Sequence, residues 1–189
     1  RTRGDFRILA HRVFRKAEEL DKVILPISFD ETKDAMKLNL DTRKTALNYL
    51  AQGGAIGVFP GGTVSTAPKP FGKAMDPGWR TFTAKMIAKS NATVVPVYFD
   101  GANSRLFQLA SHLHYTLRMA LLIKEFKSRT DAPARVVMGQ PLPPSDIQAR
   151  GKDPRALMDY LREQTYRLSP GPVDPTALGH EFEDRHRKN

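Results

Sequence analysis

Residues 53–73 read GGAIGVFPGGTVSTAPKPFGK: the short apolar run Ala55–Phe59 stops at Pro60 and two glycines, then gives way to hydroxyls, prolines and lysines. Such a run, bounded by glycines, predicts a buried strand, and its abrupt end predicts a tight turn in which Gly61 and Gly62 supply the backbone conformations. Hydroxyls and lysines just past the turn suit an anionic or polar head group, and the glycines let it approach the backbone. Gly57, four residues, Gly62 and then Thr63 match a phosphate-binding loop only in part. The lysine that should precede Thr63 is missing and Gly57 lies inside the strand, so that reading fails. On these residues alone the turn is equally a plain exit from a strand.

Outward from the turn, the chain alternates short apolar runs with helical periodicity. Residues 6–20 carry apolar side chains at helical spacing, 22–29 (KVILPISF) read as a strand, and a helix is expected from about 31 to 52, ending at Gly53-Gly54. Beyond the quoted stretch the expectations are an extended loop over 66–77, a helix over 78–90 and a strand over 93–99 (TVVPVYF). Helices over 104–110 and 113–128, a strand over 134–139 and a helix over 153–169 follow. This pattern predicts an α/β fold: a single domain with a central, mostly parallel sheet and helices on both faces. Residues 1–169 form that domain and 170–189 a polar, loosely held tail. In such sheets ligands bind beyond the carboxyl ends of the strands, which puts the loops after Phe59 and Phe99 on the ligand side.

The 189 residues suffice for a sizeable core, and 40% hydrophobic with 26% charged residues is ordinary for a globular chain. The charge is not ordinary: 30 Lys+Arg against 20 Asp+Glu leave +10, which favours polyanionic partners, whether nucleic acid, anionic membrane or phosphorylated substrate. The absence of cysteine excludes disulfides, thiolate metal sites and cysteine nucleophiles. The longest apolar run, MALLI at 119–123, is far too short to span a membrane, and no signal peptide is visible. His112 and His114 are two apart and face different ways on a helix, so no metal site is expected.

The block VFPGGTVS (58–65) resembles the Phe-Pro-Glu-Gly-Thr-Arg-Ser block of the glycerolipid acyltransferases that acylate lysophosphatidic acid and other lysolipids. The resemblance continues in order through LPISFDETKDAMKLNLDTRKTALNYLAQGG before it, APKPFGKAMDPGWRTFTAKMIAKSNATVVPVYF after it, and ARVVMGQPLPP near the end. Within that family the chain is most similar to the bacterial hemolysin-like or lyso-ornithine-lipid branch. The resemblance implies transfer of a fatty acyl group from acyl-coenzyme A or acyl carrier protein to a lysolipid hydroxyl in membrane lipid synthesis. It implies no cofactor, a partner in the anionic membrane surface, no nucleic acid, and a peripheral place on the cytoplasmic face of the bacterial inner membrane. It also implies acceptor contacts at Phe59, Pro60, Gly61, Gly62, Thr63 and Ser65, with Lys69 and Lys73 adding positive charge.

Two departures from the family matter. Its catalytic element is a His, four residues, then Asp, in which His is the general base and Asp orients it. None of His11, His112, His114, His180 and His186 has an Asp at that spacing. The dyad is therefore expected upstream of Arg1, consistent with a first residue that is not methionine; the alternative is a non-catalytic, lipid-binding relative. The second departure lies within the block, where Gly61 and Val64 stand for the family's Glu and Arg. The loss of that Arg fork disfavours an ordinary glycerol phosphate head group.

Trp79, Phe82 and Phe107 are candidates for acyl-chain or membrane contact, with packing on the sheet an equal alternative for Trp79 and a plain core role favoured for most apolar residues of 105–129. Asp100, Asn103 and Arg105 follow a strand end and suit a substrate contact or a turn. A basic nucleic-acid-binding protein is the rival class, but the cations are spread along the chain and only 8% of residues are aromatic.

Overall fold

The computed structural model describes residues 4–16, 18–28, 30 and 32–181. It is mixed α/β, with five strands and seven α-helices among those residues. The chain divides into two compact units: 1–60, 81–94 and 143–157 in the first, and 61–80, 95–142 and 158–189 in the second.

The first unit holds a three-stranded parallel sheet in the order β2 (Ile24–Ile27), β1 (Phe6–His11), β3 (Ala55–Val58). Its central strand corrects the expectation of a helix over 6–20. Only short pieces there are helical, a 3-10 turn at Arg12–Lys16 and α1 at Glu18–Asp21, while Ala17 lies outside the described residues. A short apolar run is ambiguous between the two periods, and here pairing on both edges decides it. Ile8 sits opposite both Ile24 and Gly57, and Leu9 opposite both Leu25 and Val58. Gly57 leaves room for the Phe6 ring, whose tip lies 2.5 Å from where a Cβ would stand. Pro26, which has no N–H to donate, lies in an edge strand, and its carbonyl accepts the Thr42 hydroxyl at 2.5 Å.

The helix α2 (Lys33–Ala51) follows its capping residues closely. The Thr32 hydroxyl accepts the Ala35 N–H at 3.1 Å. At the other end Gly53, at φ +83°, and Gly54 donate to the carbonyls of Leu50 and Tyr49, which is the Schellman arrangement. Through Ala46, Leu47 and Leu50 this helix packs on a core of Leu9, Leu25, Ile27 and Met86, joined by Ile56, Val58 and Phe82. Two short helices complete the unit, α3 (Ala84–Lys89) and α6 (Pro144–Arg150), the latter not anticipated from the proline-rich sequence before it. α3 is shorter than the expected helix over 78–90, because Trp79 is tied back to Asp76 and a 3-10 turn at Thr81–Thr83 intervenes.

In the second unit β4 (Val97–Asp100) pairs with β5 (Arg135–Met138), and the pairing is antiparallel. These are the strands expected over 93–99 and 134–139. They form a sheet of their own rather than extending the parallel one. The first begins late because Pro96 cannot donate to a ladder. The helices α4 (Arg105–Leu113), capped by the Ser104 hydroxyl, and α5 (Tyr115–Arg129) pack on each other. The last helix, α7 (Pro154–Tyr166), brings Tyr166 against Met75 and Tyr98 in the core of the second unit.

Ala46 is fully buried beneath the parallel sheet. Replacing it with Leu should destabilise the fold by about 1–3 kcal/mol through overpacking, read as a lower urea midpoint at unchanged m-value.

Candidate functional site

The strand β3 ends at Val58, and Phe59 and Pro60 close the first unit, Phe59 being 61% exposed. Gly61 to Ser65 open the second unit, and there both glycines are closely surrounded. A Cβ on buried Gly61 would lie 3.3 Å from the Asp76 carboxyl carbon. Gly62 has φ +68°, and its Cβ would fall 2.7 Å from Nε of Arg80. Only glycine combines that left-handed backbone with room for the guanidinium.

Asp76 organises the residues around this turn. Its carboxylate accepts the Ser65 hydroxyl at one oxygen and the Trp79 indole N–H, at 2.9 Å, at the other. Its own N–H donates to the Tyr166 hydroxyl at 2.7 Å, and its carbonyl accepts from Arg162 at 2.9 Å and from the Gly179 N–H at 2.8 Å. Burial, reinforced by the nearby Asp76 charge, pushes the Tyr166 hydroxyl up to about 12. A second brace lies beneath Val64 to Thr66. The buried Arg118 donates to the Thr66 hydroxyl at 2.8 Å, the Ser111 hydroxyl at 2.7 Å and the Val64 carbonyl at 3.2 Å. Thr66 in turn pairs with Met75 across the base of the loop that carries Lys69 and Lys73, both exposed.

The tail expected to be loosely held is docked as far as it is described. Arg162 donates to the carbonyls of Pro175 and Ala177, Lys73 to that of Pro172, and the His180 N–H to that of Thr66. Gly179 crosses so close to Met75 and Thr66 that no side chain could fit there. Residues 182–189, with His186, lie outside the described residues.

Of the candidates for acyl or membrane contact, two are buried and Phe82 is partly buried. Phe107 is fully buried and stacked under Arg118, Trp79 is buried against Asp76, and Phe82 packs into the core of the first unit. Their apolar character reported packing, and nothing in a helical spacing separates the two roles. The histidines have local structural duties: His112 Nε2 sits 2.9 Å from the Ala67 carbonyl and its ring meets that of His180, while His114 caps α5. Among the described residues no group of side chains has the makings of a metal site, and no helix is long and apolar enough to cross a membrane. Asp100 is paired with Arg135 at 3.4 Å.

Sequence reasoning missed Asp76, Arg80, Arg118 and Tyr166 as the residues that shape the turn. It had one usable signal, the acidic residue and Trp-Arg pair of DPGWR directly after the proline loop. It also missed a cavity of about 980 Å³ in the first unit, at the ends of β1 and β2, whose lining includes His11, Arg12, Arg15, Lys16, Lys22 and Pro26. Two of its cations are held by Asp partners, Arg12 by Asp30 and Arg15 by Asp21.

Asp76→Ala should lower stability by about 1–3 kcal/mol, as it strands the Ser65 and Trp79 donors. Trp79 is the single tryptophan, so its emission should shift to the red in the folded variant. The raised folded value of Tyr166 means that the native state keeps this proton where the unfolded chain has lost it. Its contribution is therefore complete below pH about 10 and lost as pH rises through about 12. Urea midpoints should fall across that window by an amount equivalent to at most about 3 kcal/mol, and Tyr166→Phe should flatten this part of the profile.

Comparison with protein-family models, with curated proteins and with solved structures finds no match for this chain, so its function is argued from these residues.

Proposed function

We propose that this chain is the acceptor-holding part of a lysolipid O-acyltransferase. The observation that carries the reading is the Gly61–Ser65 turn, floored by glycine, backed by Asp76 and flanked by the Arg80 side chain, within a block that resembles the acceptor motif of that family. A glycine turn beside a guanidinium is suited to a phosphate-bearing head group. The block lacks the family's Arg at Val64, and the cations exposed near the turn are Lys69 and Lys73, which suit an anionic head group with less directional contact than an Arg fork gives. The architecture that accompanies this reading is a single domain whose parallel sheet, here β2-β1-β3, is central and is covered by helices on both faces, with the antiparallel β4–β5 pair separate from it. Its setting is peripheral, on the cytoplasmic face of a bacterial inner membrane.

In the reaction a His, held by an Asp and lying outside these 189 residues, takes the proton of the lysolipid hydroxyl. The oxygen attacks the thioester carbonyl of acyl-coenzyme A or acyl carrier protein. The carbon–sulfur bond breaks, and the thiol leaves carrying the proton. No cofactor takes part. Thr63, Ser65 and the backbone at Gly61–Gly62 position the acceptor, and Lys69 and Lys73 draw anionic lipid toward it.

The test is thiol release by the longest natural form of the protein, given an acyl thioester and lysophosphatidic acid. The 189 residues contain no cysteine, so they add no background to a thiol reagent. Release should depend on the lysolipid, and Thr63→Val should raise the acceptor KM several-fold with kcat little changed. Lipid binding without acylation of any lysolipid would replace this reading with that of a non-catalytic relative, and binding to DNA but not to lipid would replace both.

A further inference from the structure

Residues 66–75 form a closed loop with a buried base and an exposed tip. At the base Thr66 donates its N–H to the Met75 carbonyl at 3.0 Å, and both residues are buried. Ala67 is clamped from α4, its N–H by the Gln108 side chain at 2.9 Å and its carbonyl by His112 at 2.9 Å. The tip, Pro68 to Lys73, is exposed throughout. It is stiffened by Pro70 and by a turn in which the Gly72 N–H donates to the Lys69 carbonyl at 2.9 Å. At its apex Phe71 is 77% exposed between two lysines. Arg105 comes within 3.5 Å of the Phe71 carbonyl. No acidic residue occurs from Gly62 to Met75.

A single exposed ring is ordinary on a protein surface; what sets Phe71 apart is its place at the apex of a braced turn, between two lysines and with no acidic residue in the loop. The chemistry of the tip favours a lipid surface over an acidic protein. One ring flanked by lysine stems matches a bilayer interface, where the ring enters the headgroup region and the ammonium groups stay at the phosphates. A stable protein interface calls for about 800 Å² on each side with a pocket at its centre, more than a six-residue turn offers.

We propose that residues 68–73 are a membrane-docking tip that inserts Phe71 into the interface of an anionic bilayer, with Lys69, Lys73 and Arg105 at the lipid phosphates. The proposal deepens the lipid reading by naming the element that meets the membrane, and it rests on that reading only in taking lipid as the partner.

The experiment uses phosphatidylcholine vesicles with and without phosphatidylglycerol, free of lysolipid and thioester, so its outcome is independent of the acylation assay. In Phe71→Trp the new indole is at the apex, while Trp79 is already buried. Its emission should shift to the blue only with the anionic vesicles and be quenched by lipids brominated on the acyl chain. Cosedimentation affinity should fall about tenfold in Phe71→Ala, about fivefold for Lys69→Ala or Lys73→Ala and roughly thirtyfold for the pair. Unchanged thermal unfolding is the control at Phe71 and Lys69; Lys73 also donates to the Pro172 carbonyl, so Lys73→Gln, which keeps a donor without the charge, should weaken binding as much as Lys73→Ala. An apex indole that stays in water while the protein binds vesicles would overturn the proposal. So would loss of binding in Phe126→Ala, an exposed site on α5, with Phe71→Ala unaffected, or an apex shift produced by acyl carrier protein and not by vesicles.

Discussion

The second unit depends on Asp76. Its side chain holds Ser65 and Trp79, while its own peptide group is bonded to Tyr166, Arg162 and Gly179, so one residue joins the glycine turn, the proline loop, the last helix and the C-terminal strap. Few of these segments are helix or strand, and their backbone groups would be left unpaired on burial without such partners. A buried polar group is expensive only while unpaired, so the network converts irregular chain into a fixed support for the turn. Gly179 is what this support requires, since it stands where the backbone of Met75 and Thr66 passes too closely for a Cβ, and Gly61 lies against the Asp76 carboxylate.

Part of the basic charge is spent within the fold. Arg118 and Arg162 are both buried; Arg118 spreads its guanidinium over two hydroxyls and a carbonyl, Arg162 over three carbonyls, and each lies against an aromatic ring, Phe107 at 4.9 Å and Tyr166 at 4.6 Å. Multiple directed hydrogen bonds and a ring face offset the loss of hydration that burial imposes on a cation. A +10 chain therefore does not present ten spare charges to a partner. The cations that reach solvent near the candidate site are Lys69, Lys73 and Arg105, gathered at one loop tip.

Local chemistry was readable wherever it acts locally. Thr32 and the Gly53-Gly54 pair announced both ends of α2, and Pro60 with its glycines announced the end of β3, because capping and positive φ are satisfied within a few residues of their cause. The strand β1 was not readable, because Phe6–His11 fits a helix as well as a strand until β2 and β3 present edges on either side of it. Nor was the pairing of β4 with β5, since an apolar run does not encode which neighbour it will find or in which direction. The burial of the aromatic candidates was unreadable for a related reason. Phe107 and Trp79 are equally apolar in a core or at a surface, and only packing distinguishes the two.

The sequence by itself determined a mixed α/β chain, a strand that breaks into a glycine turn, an excess of positive charge and a block resembling an acyl-acceptor motif. These are properties of neighbouring residues and of composition. Only the tertiary structure decided which distant groups meet that turn. Asp76 lies eleven residues beyond Ser65, Tyr166 ninety beyond Asp76, and Arg118 fifty-two beyond Thr66. Contacts across such separations carry no local signature. They arise from the burial of Met75, Tyr98 and Tyr166 in one core, which brings the polar groups beside them within hydrogen-bonding reach.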